Sequence, residues 1–188
     1  GQNGSGPDTT ALAIRDQLQA LAPSPYEPTT YDGAKALAKD VAASKLTKCR
    51  SAEQAMLIMA TGRELGIPAT TALRMIYVAD FGQGDTIALS ADLMVALCLR
   101  SSLCEYFRCI ESTDEKAVYA AKRKGNPERV VPFTIADKER AKLGQVGAGK
   151  DASASNWAKY PATMLKHRAA SILAREVFPD VIGGFSTE

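Results

Sequence analysis

An α+β fold with a small, mostly antiparallel sheet is predicted by three features of this 188-residue chain. Arg74–Asp80 (RMIYVAD) and Asp85–Leu89 flank the turn FGQG, which is the pattern of a β-hairpin. Three further strand-like runs follow as a group, Glu105–Glu111, Ala117–Lys122 and Val130–Ile135. Helical periodicity is confined to separate blocks around them, and runs of strands beside runs of helices favour α+β over a parallel α/β sheet.

Gly1–Asp32 is expected to be a flexible arm, with five Gly, Pro or Ser residues among its first seven and PSPYEP near its end. A short helix over Thr10–Leu21 is compatible with its pattern. From residue 33 to 188 the chain is expected to form one core domain. Asp32 can cap a helix from Gly33 to about Ser44. Ser51-Ala52-Glu53-Gln54 matches a capping box and opens a second helix through Leu65, which Gly66 and Pro68 stop. After the hairpin, Ser90 caps ADLMVALCLRS, a helix apolar nearly all round and so expected to be buried. A short helix carries Lys138, Arg140 and Lys142. The last helix is long and basic. Pro161 suits its first turn, and Pro179 disfavours helix at Phe178, giving Pro161–Phe178.

On that helix Leu165, Ala169, Ile172 and Leu173 share the apolar face at about 100° per residue. Met164, Arg168, Ser171 and Arg175 form the neighbouring row, and Lys166 projects from the other side. Two explanations of the arginines stay open here. Either carboxylates hold them at the core edge with their stems packed on apolar neighbours, or the row is aimed at phosphates.

No apolar run approaches the roughly 18–20 residues of a membrane span, and the first residues lack the basic and apolar segments of a signal peptide. The four cysteines, Cys49, Cys98, Cys104 and Cys109, form no CxxC and do not pair with the single His167 in a metal-type spacing. They are expected to be reduced cytosolic thiols. Net charge is +2 but uneven: Lys116–Arg175 holds 13 Lys and Arg against four acids, and the rest holds 10 against 17. Such asymmetry points to an anionic partner or to charges that interleave on folding.

Gly144–Lys150 matches the GxxxxGK phosphate loop, but Asp151 stands where the Mg²⁺-binding Ser or Thr belongs, and no apolar strand precedes it. A nucleotide-hydrolysing motor or recombinase built on that loop is therefore the lesser alternative, beside a sequence-specific duplex binder. The chain shows no triad, HExxH or paired-carboxylate signature, so no enzyme and no metal cofactor is expected. The basic features point instead to an unpaired nucleic-acid strand. Lys122, Arg123, Lys124 and Arg129 cluster at a turn, and Trp157 and Tyr160 stand beside Lys159 and Lys166. Phosphates need charge and exposed bases need planar faces.

Three stretches carry a closer likeness: SAEQAMLIMATGRELGIPATTALRMIYV, TIALSADLMVALCLRSSLCEYFRCIESTDE and NWAKYPATMLKHRAASILAREVFPDVIGGFSTE. They resemble the RecT family, in the RecT/Red-beta group of phage-type single-strand annealing recombinases, over about Ala34–Glu188. The aromatic-xx-Tyr-Pro-xx-Met-Leu-xx-Arg-Ala motif of the last helix is its most specific part. The resemblance implies an ATP-independent protein of the bacterial cytoplasm that coats single-stranded DNA and pairs it with its complement as duplex DNA. It also implies a homo-oligomer, ring or helical filament, with Mg²⁺ as a possible aid to annealing, and a phage exonuclease and the host single-strand-binding protein as partners. Carried onto matching positions, the DNA contacts include Lys159, Lys166, Arg168 and Arg175, with Trp157 and Tyr160 shaping the site. The hairpin from Arg74 to Ser90 would lie near the DNA groove. Two departures stand out. The turn is Gly82-Gln83-Gly84-Asp85 where relatives often carry Gly-Lys, and the chain stops at Glu188 where relatives continue into a partner-recruiting region.

Overall fold

A computed structural model describes residues 27–45, 47–80, 84–144, 153 and 155–183. The expected N-terminal helix, most of the FGQG turn and the GxxxxGK motif beyond Gly144 lie outside the described residues. Among those described, seven helices accompany two antiparallel sheets, so the fold is α+β.

Helix α1 (Tyr31–Ser44) starts two residues earlier than expected, because Thr30 takes the cap: its Oγ1 accepts from the Gly33 N–H at 3.1 Å. Asp32 becomes a first-turn acid that complements the helix dipole. Helix α2 (Ala52–Glu64) is capped by Ser51, whose Oγ accepts from the Gln54 N–H at 3.2 Å. The Gln54 side chain reaches one residue further back than a capping box requires, accepting from the Arg50 N–H at 2.9 Å.

Helix α3 (Ala69–Met75) corrects the expectation of a strand from Arg74. Five of its seven residues, Ala69, Ala72, Leu73, Arg74 and Met75, are good helix formers, but seven residues are too few to hold a helix alone, and tertiary contacts support it. Both Glu27 carboxylate oxygens accept from the Ala69 N–H, at 2.8 and 3.1 Å. Gly62 lets the helix approach α2, since a Cβ there would lie 2.4 Å from the Ala72 Cβ.

Strands β1 (Ile76–Asp80) and β2 (Asp85–Leu89) form the expected hairpin, in register from Ile76 opposite Leu89 to Asp80 opposite Asp85, as a sheet of their own. Ser90 caps α4 (Ala91–Arg100), its Oγ accepting from the Leu93 N–H at 3.3 Å. Leu93, Met94, Leu97 and Cys98 are buried, while Leu99 stays exposed. Arg100 donates to the carbonyls of Gly66, at 2.8 Å, and Leu65, tying the end of α4 to the end of α2. Strands β3 (Cys104–Ser112), β4 (Lys116–Arg123) and β5 (Arg129–Thr134) form the second sheet in that order. Helix α5 (Ile135–Arg140) opens on a capping box between Thr134 and Asp137, and the turn α6 (Asn156–Lys159) leads into α7 (Pro161–Val177).

Helix α7 packs against all three strands of the second sheet and against α4. Leu165 and Ala169 join Ala117 and Phe133 in a small cluster, while Ala170, Leu173 and Ala174 enter the main core with Leu89, Met94, Phe107, Phe178 and others. Tyr119 and Ile172 border both clusters. The apolar face read from the sequence is thus the one that anchors the helix.

Candidate nucleic-acid interface

The row of α7 beside that apolar face borders open space. The residue before a proline is pushed out of helical geometry, so Tyr160 (φ −138°, ψ 57°) breaks the chain between α6 and α7. That break leaves its ring 60% exposed. From there Tyr160, Thr163, Met164, His167, Arg168 and Ser171 fall on one side of the helix, at offsets of 3, 4, 7, 8 and 11 from the first. They line two adjoining chambers, of about 480 and about 760 Å³, which share Tyr77, Asn156, Met164 and His167.

The larger chamber is closed on its far side by Lys48, Arg50 and Gln54 ahead of and within α2, and by Tyr77 and Val78 of β1. The smaller is closed by Ser90, Ala91 and Asp92 at the start of α4 and by Leu143, Gly144 and Trp157. Among the described residues, the groove therefore carries Lys48, Arg50 and Arg168 against one carboxylate, Asp92. His167 Nε2 lies 3.7 Å from Asp92 Oδ1, too long for a hydrogen bond, and the contact becomes an ion pair when the imidazole is protonated. Three aromatic rings, Tyr77, Trp157 and Tyr160, border the same space.

Trp157 has a second job. It is half-buried against the small core cluster, and a Cβ at Gly144 would come within 2.6–2.8 Å of its side-chain atoms. The Ser155 Oγ, accepting from the Ala158 N–H at 3.2 Å, fixes the turn that carries it. Ser171 is 1% exposed and donates to the Arg168 carbonyl at 3.1 Å. One turn further on, burial pulls the Arg175 pKa below its ordinary value, and the nearby Tyr77 partly opposes this. Arg175 remains charged, because a guanidinium keeps its proton at any physiological pH.

The predicted residues divide accordingly. Trp157, Tyr160 and Arg168 line the groove, and Arg175, two turns on from Arg168, lines neither chamber but feels the charge of Tyr77. Lys166 lies about 200° around α7 from Met164, on the far side from the groove. Arg74, Lys124 and Lys159 are exposed and do not line either chamber. The basic turn after β4 is largely neutralised by folding. Lys122 pairs with Glu105 at 3.0 Å and Arg129 with Glu176 at 2.8 Å. Arg123 donates to the Val177 carbonyl at 3.1 Å and to both Asp180 carboxylate oxygens, with its guanidinium over the Phe178 ring. It clasps the end of α7 to the sheet. The charge asymmetry of the sequence is in good part this interleaving.

Lys48, Arg50, Tyr77 and Asn156 are groove residues that the sequence pattern did not single out. For Lys48 and Arg50 a signal was present. Cations just ahead of a helix N-terminus oppose its dipole, and such a local conflict marks a position kept for another reason. Among the described residues, no group of three or more His, Cys, Asp or Glu side chains is placed to hold a metal ion. None of the described helices is long and apolar enough to cross a membrane. A scan against models of known protein families finds no match, and neither does a search of curated proteins.

Proposed function

We propose that this chain binds single-stranded DNA and anneals it to its complement, without nucleotide hydrolysis and as an oligomer on the strand. The observation that carries the reading is the groove along α7, whose walls hold Lys48, Arg50, His167 and Arg168 together with Tyr77, Trp157 and Tyr160. Cations that follow a phosphate backbone, together with aromatic faces for bases, bind a strand without regard to its sequence. Watson–Crick pairing then supplies the specificity, and the protein performs no bond chemistry. The RecT-family resemblance of Ala34–Glu188 supports the same reading and extends it to a cytoplasmic role in phage-type recombination. There the ring or filament would work beside an exonuclease and the host single-strand-binding protein.

The test is pairing of complementary oligonucleotides by the purified protein with no nucleotide added. Annealing faster than the spontaneous rate is expected. If the protein binds neither strand, or binds without accelerating pairing, the proposal fails.

A further inference from the structure

We infer that the smaller chamber is a pocket for one unstacked nucleobase of the bound strand, so that the groove holds backbone and base in separate compartments. The inference rests on the single-strand reading and specifies what its two chambers do.

The two chambers differ in chemistry. The larger takes its cations, Lys48 and Arg50, from the segment before α2 and opens past the exposed Tyr160. The smaller, about 480 Å³, lies within the usual range of small-ligand sites, roughly 300–1,000 Å³. Its walls are planar or soft and apolar: Trp157, Tyr77, Leu143 and Met164. Its polar lining among the described residues is Ser90, Asp92, Asn156, His167, Arg168 and the buried Ser171. The Asn156 amide both donates and accepts, and the Ser90 hydroxyl can do the same, so these two can meet any of the four bases. His167 lines both chambers and Arg168 the smaller one, where the phosphates flanking an inserted base would pass.

The pocket is also built in advance of any ligand. Trp157 is wedged over Gly144 and against the Phe133–Leu165 cluster. Met164 is fixed by the helix that Leu165 and Ala169 anchor beside it. An aromatic wall that needs no reordering gives its stacking free energy undiminished to the base.

Trp157 is the only tryptophan in the chain, so its emission reports on the pocket directly. The experiment compares an oligo-dT strand with a strand of equal length in which every nucleotide is abasic, on the full chain, with strand binding read by anisotropy of an end label. Both strands offer the same phosphates. The expected result is that oligo-dT quenches Trp157, while the abasic strand binds about ten-fold or more weakly and leaves the emission unchanged at saturation. Equal quenching by both strands, or binding of oligo-dT with no change in Trp157 emission, overturns the base pocket while leaving single-strand binding intact. Absence of binding by either strand overturns the single-strand reading itself, and the pocket with it.

Discussion

Lys48 and Arg50 stand just ahead of the Ser51 cap, face the groove across from α7, and belong to the part of the chain whose net charge is negative. Arg123 belongs to the most basic stretch, yet its guanidinium is engaged by Asp180, the Val177 carbonyl and the Phe178 ring. Location in the fold, rather than charge density in the sequence, decides which cation is available to a phosphate. Lys48→Ala and Arg50→Ala are each expected to weaken single-strand binding equally for all sequences. Each should also flatten the log–log salt dependence by about 0.7 for every phosphate that goes unneutralised. Arg123→Ala is expected to lower stability and leave that salt slope unchanged. Salt titrations of the three variants decide the matter, and a slope altered by Arg123→Ala alone would reverse the assignment.

Elements were legible where one strong local signal fixed them. The hairpin, the Ser90 and Ser51 caps, and the Leu165–Ala169–Leu173 face of the last helix all follow from patterns confined to a few neighbouring residues. Where helix α3 ends was not legible, because Arg74 and Met75 also fit the strand pattern that follows and the contacts that support the helix are distant in sequence: the Glu27 carboxylate on its first amide and the absence of a side chain at Gly62. The groove was half legible for the same reason. Its α7 side is one helical row, whereas Lys48, Tyr77 and Ser90 arrive from three other parts of the chain. The packing of α3 on α2 can be tested directly. Gly62→Ala should destabilise the protein by about 1–3 kcal/mol, as overpacking does, and Ala72→Gly added to it should recover part of the loss. Denaturant midpoints of the single and double variants measure both, and a Gly62→Ala protein as stable as the parent would contradict the close approach. The end of α7 responds to acid. Hydrogen bonds from Arg123 hold the Asp180 carboxyl below its ordinary value of 3.8. A carboxylate with a depressed folded pKa stabilises the fold above its unfolded pKa and loses that contribution as pH falls through the folded value. The stability gap between the parent and Asp180→Asn should therefore be constant near neutrality and close as pH drops below about 4. A gap that widens in acid would show that the clasp is not what the carboxylate provides.

At the scale of the whole molecule, α7 is the wall common to the three-stranded sheet, α4 and the groove. The two core clusters meet along it, with Tyr119 and Ile172 shared between them. A groove whose two chambers are walled by different clusters keeps its shape only if those clusters do not separate, so they are expected to unfold together. Trp157 reports the smaller cluster, and far-ultraviolet circular dichroism reports mainly the helices of the larger. The two signals should give coincident denaturation curves with one midpoint, as two-state unfolding requires. Loss of the Trp157 signal at a lower denaturant concentration than the helical signal would mean that the small cluster opens on its own. The groove would then be a hinged structure, and its α6 wall would swing free while α2, α3 and the hairpin remained folded.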